Sequence, residues 1–163
     1  MLIMKILRHV IAFIKIAGYE MINRRRVSFG KSFTFRKGFN LVIGRDGHVE
    51  IGDGCFFNNY CSVNCLNSIS IGSGTIFGEG VKIYDHNHKF SDFSKTIKEQ
   101  GYSIGIVRIG NHCWIGTNAV ILKGTEIGDN CVIGAGCVVS GKIPSNSILK
   151  NPGNYIIEKI EEH

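Results

Sequence analysis

Residues 109–144 read IGNHCW, IGTNAV, ILKGTE, IGDNCV, IGAGCV, VSGKIP. Ile109, Ile115, Ile121, Ile127, Ile133 and Val139 recur at every sixth position, and four of the six are followed by Gly. A period of six fits neither the 3.6 of a helix nor the plain alternation of a long strand. It fits a chain that runs straight for a few residues, turns a corner and repeats. Three such sides close a triangular coil of about eighteen residues, and successive coils stack at roughly the 4.8 Å spacing of paired strands. The spacing therefore predicts an all-β solenoid of parallel strands, with the six aliphatic residues buried in one prism.

The residue two places before each aliphatic must also point inward, near a corner, and be small. Cys113, Ala119, Thr125, Cys131 and Cys137 fill that slot, as do Cys55 and Cys61 before Phe57 and Val63. Five of the six cysteines thus read as small buried hydrophobes and free thiols rather than ligands or redox pairs. Residues just before each aliphatic point outward. One side stacks Trp114 over Val132 and the next Val120 over Val138, while the third carries Glu126 and Pro144. Two sides that are apolar on the outside predict neighbouring subunits in a closed cyclic trimer.

Working outward, residues 51–83 keep the pattern through Ile51, Phe57, Val63 and Ile69, slip by two, and resume at Ile71, Phe77 and Ile83. Residues 27–50 keep it poorly and read as an irregular first coil whose end is filled by Phe33 and Phe39. Residues 1–26 form an amphipathic helix, with Lys5, Arg8, Ala12, Lys15 and Tyr19 at three- and four-residue steps. It is too short and too charged for a secure membrane span. Two roles stay open for it: covering the open end of the solenoid, or, with Arg24, Arg25 and Arg26, a weak attachment to an anionic membrane surface. The solenoid spans 27–154 with an inserted loop at 84–108, and 155–163 form a short terminal helix or tail. A net charge of +6 favours an anionic partner, but no nucleic-acid-binding motif is present. No secretion signal is seen, and the expected location is cytoplasmic.

The loop opens with Asp85-His86-Asn87-His88. Two imidazoles beside a carboxylate offer a general base near neutral pH with a partner to fix its tautomer. A zinc site would need a third converging ligand, and His112 is 24 residues beyond His88 without a paired His of its own.

The hexads, the loop with His88-Lys89-Phe90, and the run VRIGNHCWIGTNAVILKGTEIGDNCVIGAGCVVSGKIP resemble the hexapeptide-repeat acyltransferases. The branch they resemble is that of the galactoside/maltose and polysaccharide O-acetyltransferases, over residues 50 to 157. The resemblance implies a left-handed parallel β-helix, an exception to right-handed crossovers. It also implies a homotrimer that binds acetyl-CoA between subunits and transfers the acetyl group to a sugar hydroxyl, with a loop His as base. By that resemblance His88 matches the base without gaps, and His86 matches it after a two-residue slip. Asn58 and Asp85 match the acceptor pocket. Trp114, Gly116, Thr117, Gly134 and Ala135 match the cofactor edge, with no metal. Where the family commonly carries a basic phosphate contact this chain has Asn154, which leaves Lys142 or Lys150 to supply the charge. Three other readings are an N-acetyltransferase on a nucleotide-linked amino sugar, a trimeric β-helical zinc carbonic anhydrase, and a non-catalytic binding solenoid.

Overall fold

The structure, a computed structural model, describes residues 2–151 and 153, with side chains from residue 10 onward. Asn154 and the tail at 155–163 lie outside the described residues. The chain winds into a left-handed parallel β-helix of six coils behind one N-terminal helix. Sheet 1 holds Val27–Phe29, His48–Ile51, Ser68–Ile71, Ile106–Ile109, Glu126–Ile127 and Lys142–Ile143. Sheet 2 holds Thr34–Phe35, Phe56–Phe57, Ile76–Phe77, Trp114–Ile115, Val132–Ile133 and Ile148–Leu149. Sheet 3 holds Asn40–Ile43, Ser62–Cys65, Lys82–Tyr84, Val120–Ile121 and Val138–Val139.

The six-residue period is the inward column. Ile109, Ile115, Ile121, Ile127, Ile133 and Val139 are all buried, as is the small-residue slot of Cys113, Ala119, Thr125, Cys131 and Cys137. All six cysteines are free. The slot also carries a weak bond: Cys55, Cys61, Cys113 and Cys131 each direct Sγ at a carbonyl of the next coil, at 3.0–3.1 Å. Thr75 makes the same contact through its hydroxyl to Gly110 O at 2.8 Å. A small side chain with one donor thus fills the corner and satisfies a backbone acceptor at once.

Where the count slips, the register explains it. Ile51 faces Ile71, twenty residues on, because the strands His48–Ile51 and Ser68–Ile71 are four residues long and turn two side chains inward each. Two extra residues are one full pleat, so the alternation is preserved. At the other end the coil shortens: Glu126 pairs with Lys142, sixteen residues on. The outward neighbour of Glu126 is therefore Lys142, not Pro144, which falls at the following corner.

The first coil is wide and aromatic. Phe33, Phe35, Phe39 and Phe57 pack together, and Phe57 stacks on Phe77 with ring centroids 4.0 Å apart. The helix Leu2–Asn23 closes this end. It packs on the first-coil strands through Ala12, Ile16 and Tyr19, and the Tyr19 ring meets Phe29 and Phe39. Burying such a set is worth roughly 1.5–3 kcal/mol per large side chain, enough to hold a helix that would be marginal alone. No described helix is long and apolar enough to cross a membrane.

Candidate active site

Each coil turns three corners, and the backbone N–H groups there must find acceptors outside the regular strand ladder. The three corners solve this differently.

At corner 1/2, between sheets 1 and 2, the second residue after the inward aliphatic builds a ladder from coil to coil. Lys31 N–H donates to Asp53 Oδ1 (2.7 Å), Asp53 N–H to Ser73 Oγ (3.1 Å) and Ser73 N–H to Asn111 Oδ1 (2.8 Å). Asn111 N–H then donates to Asp129 Oδ1 (2.6 Å), and Asp129 N–H to Ser145 Oγ (3.0 Å). The corner is saturated by its own side chains. His112 lies on this corner with a φ of 54°, a turn position on a different edge from His86 and His88.

At corner 2/3 the same hexad position reads Lys37 and Asn59 in the first two coils, where Asn59 N–H donates to Asn58 Oδ1 at 2.8 Å, and then Glu79, Thr117 and Ala135. Among the described residues, the N–H groups of the last three have no acceptor within the chain. The coils approach closely here. A methyl group on Gly116 would lie 2.6 Å from Ala135 N and 2.7 Å from Ile133 O, so only Gly lets the chains stack. Gly136 N–H bonds Thr117 O at 2.8 Å, which fixes one coil over the other. Asn58, Gly116, Gly134 and Lys150 each follow the inward residue of a sheet 2 strand, so they share this edge. Trp114 points outward from sheet 2 beside it and is 54% exposed. Six of the expected site residues therefore come together on one edge: Asn58, Gly116, Thr117, Gly134, Ala135 and Lys150. Lys142 does not. It lies on the outer face of sheet 1, paired with Glu126 at 3.3 Å.

At corner 3/1 the chain leaves the solenoid. Asp85 is fully buried and accepts from Leu66 N–H (2.9 and 3.0 Å) and Asn67 N–H (2.7 Å) of the preceding coil. The Cys65 thiol donates to its Oδ2 at 3.2 Å. Burial, and then the Asp85 carboxylate, push that thiol up to about 12, so it is a protonated donor at neutral pH. His86 Nδ1 lies 2.9 Å from Asp85 Oδ1. Both carboxylate oxygens are already acceptors, so Nδ1 carries the hydrogen and Nε2 of the neutral ring is left free to accept a proton. Asp85, expected at the acceptor pocket, is thus buried and holds the imidazole instead.

The ring lies in a short antiparallel ribbon, His86–His88 against Tyr102–Ile104. His86 and His88 share a face of the ribbon by strand alternation. Tyr102 contacts both, with ring centroids 5.1 Å from His86 and 4.6 Å from His88. His88 is exposed and has no carboxylate partner among the described residues. The base of the excursion is clamped by Asn67 Nδ2 to Gly105 O (2.9 Å) and Lys123 Nζ to Ser103 Oγ (2.6 Å). Sequence reasoning missed Cys65, Tyr102 and the Leu66 and Asn67 N–H groups. Their only signal was the twenty-residue coil, which places Asn67 beneath the start of the loop.

Burial raises the thiols of Cys55, Cys61 and Cys113, so none of these three is available as a thiolate nucleophile.

The family model of the bacterial transferase hexapeptide (six repeats) matches residues 106–141. The chain is 34% identical over 144 residues to a protein of Escherichia coli assigned to lipopolysaccharide biosynthesis as an O-acetyltransferase, covering 84% of this chain and 74% of that one. It is 34% identical to the crystal structure of a maltose O-acetyltransferase from Clostridium difficile, with a TM-score of 0.67 over 88% of this chain and 75% of that one. A hexapeptide-repeat acetyltransferase of Vibrio cholerae solved with acetyl coenzyme A shares the fold, at a TM-score of 0.69 and 22% identity over 90% of this chain and 78% of that one.

Proposed function

Because the chain belongs to the hexapeptide-repeat acetyltransferases, we propose that it moves the acetyl group of acetyl-CoA directly to a hydroxyl of a sugar or polysaccharide precursor, with His86 as general base. The observation that carries this reading is the Asp85–His86 pair, which offers a free Nε2 on an imidazole held by a buried carboxylate. The gapless spacing favours His88, but His88 lacks such a partner. It lies two residues along the same ribbon face, suited to lining the acceptor pocket.

In this mechanism Nε2 takes the proton of the acceptor hydroxyl while Nδ1–H stays on Asp85. The oxygen attacks the thioester carbon, and negative charge moves to the carbonyl oxygen. An unpaired N–H such as that of Thr117 meets this oxyanion. Collapse of the intermediate breaks the carbon–sulfur bond, and the imidazolium returns its proton to the departing thiolate. Acetyl-CoA lies along corner 2/3, with Ala135 N–H on the pantetheine arm and Lys150 nearest the phosphates. A Lys is a less directional phosphate ligand than Arg.

Corners 2/3 and 3/1 of one chain are separated by the whole of sheet 3, so base and cofactor edge meet only between subunits. A cyclic trimer supplies that meeting. The outer faces it covers are Ile76, Trp114, Val132 and Ile148 on sheet 2, and the Val120–Val138 pair on sheet 3, which continues the column of Ser62 and Lys82. Phe93, at the loop tip, is 98% exposed in the single chain. Exposed apolar residues in register from coil to coil, as on sheet 2, are what a subunit interface covers.

Release of free CoA thiol from acetyl-CoA, followed against sugars, amino sugars and nucleotide sugars, identifies the acceptor class and separates O- from N-transfer. On the active acceptor, His86→Ala lowers turnover by about 10²–10⁴-fold with acetyl-CoA affinity little changed. His88→Ala lowers it by less than about tenfold. The reverse order moves the base to His88, and full activity in both removes the ribbon from the chemistry.

A further inference from the structure

The charge of this chain is unevenly distributed along its length. Residues 1–45, the helix and the first coil, hold ten of the nineteen Lys and Arg but only one of the thirteen Asp and Glu, a net charge of +9. Residues 46–163 carry a net charge of −3. In space the basic part is one end of the solenoid. Arg24, Arg25, Lys31, Arg36, Lys37 and Arg45 are all exposed there. None of them takes part in an ion pair among the described residues; the described pairs lie in the loop and on sheet 1. Unneutralised like charge gathered at one end is unfavourable in a free protein and marks an anionic partner.

The helix says which kind. Its docked stripe is narrow: Ala12, Ile16, Tyr19 and Asn23 at three- and four-residue steps. The opposite face is apolar as well as exposed, with Phe13 at 72%, Ile14 at 64% and Met21 at 76%. A nucleic acid or a free phosphate compound would use the cations and have no use for this face. A membrane interface uses both, burying the apolar face among acyl chains while basic residues meet anionic headgroups.

We infer that the helix end of the solenoid docks on an anionic lipid surface, with Phe13, Ile14 and Met21 inserted and the Arg24–Arg25 pair and the first-coil cations against the headgroups. Helix packing on the solenoid and membrane contact are then two faces of one element. The trimer of the proposed function strengthens the contact. Cyclic symmetry puts three equivalent ends in one plane on one side of the particle, and three weak attachments act together. The docking itself does not depend on the acetyl-transfer reading.

The test is co-sedimentation of the full chain with vesicles of phosphatidylcholine alone, or with a quarter of phosphatidylglycerol, at 0.1 and 0.5 M salt. Binding to the anionic vesicles that falls at high salt is expected, with little on neutral ones. Phe13→Glu with Ile14→Glu abolishes it while melting temperature and mass by light scattering stay unchanged. Arg24→Glu with Arg25→Glu weakens partitioning by at least about 25-fold, near fivefold for each Arg lost from the surface. No binding to anionic vesicles overturns the inference, as does binding that both double variants leave intact. A change in oligomeric mass in Phe13→Glu/Ile14→Glu also overturns it, since the face would then cover a second copy of the chain.

Discussion

Corners 1/2 and 2/3 are built by the same hexads on the same backbone and differ in one recurring side chain. At corner 1/2 that position reads Asp53, Ser73, Asn111, Asp129 and Ser145, and each side chain accepts the N–H of the coil before it. At corner 2/3 the later coils read Glu79, Thr117 and Ala135, and these three N–H groups are left without acceptors within the chain among the described residues. A saturated row holds coils together and leaves no backbone donor of its rungs for a ligand. An open row keeps its donors for one. Corner 3/1 combines the two, because Asp85 serves as a rung for Leu66 and Asn67 and its remaining acceptor capacity orients His86. Structure and chemistry here are alternative uses of one backbone donor set.

Both corners rest on one core, and the largest effect comes from breaking it. Ile127→Asp places an unpaired charge in the prism beneath both corners and costs several kcal/mol. A variant that keeps the native melting temperature would undo the six-residue reading and the comparison with it. Next, Asp85→Asn sets the rung that holds His86 against a purely structural one. An amide can still accept from Leu66 or Asn67, but its NH₂ faces Nδ1 and favours the tautomer with the hydrogen on Nε2. Turnover falls by about 10²–10⁴-fold, measured as thiol release, with the melting temperature changed far less than in Ile127→Asp. Asp129→Ala is the milder counterpart. It strips Asn111 N–H of its acceptor, costs about 1 kcal/mol and lowers the melting temperature of a chain this size by about 2–4 °C. Its KM for acetyl-CoA stays at the wild-type value, and a rise would make corner 1/2 part of the site.

Much of this is legible in the amino-acid sequence. The buried column and the cysteine slot follow from spacing alone, because each side of the prism must turn one large aliphatic and one small corner residue inward. Phe33 and Phe39 were legible as filling for the wide end. Gly116, Thr117, Gly134 and Ala135, expected at the cofactor, fall on one edge because equal hexads stack equal positions. What was not legible depended on coil length. The two-residue insertions and the sixteen-residue last coil set which residues face each other, so Lys142 rather than Pro144 meets Glu126. The choice between His86 and His88 likewise turns on Asp85, whose burial over Leu66 and Asn67 is a register effect that no local motif encodes. The contrast between the corners was present in the hexads, as Asp, Ser or Asn after one Ile-Gly and Thr or Ala after another. It acquires meaning only once donors are matched to acceptors.

The most direct measurement fills the open corner. Ala135 occupies at corner 2/3 the place that Asp129 occupies at corner 1/2, and Thr117 N–H is the counterpart of Asn111 N–H. In Ala135→Asp the new carboxylate closes onto Thr117 N–H as Asp129 closes onto Asn111, removing a donor from the cofactor edge and adding repulsion toward an anionic ligand. Calorimetric titration with coenzyme A, beside a thermal melt, should show binding weakened by about tenfold or more, because the new carboxylate stands at the proposed pantetheine contact and repels an anionic ligand, with a melting temperature equal to or above wild type. Coenzyme A binding at wild-type affinity in Ala135→Asp, together with its loss in Asp129→Ala, would place the ligand on the other corner and contradict the account.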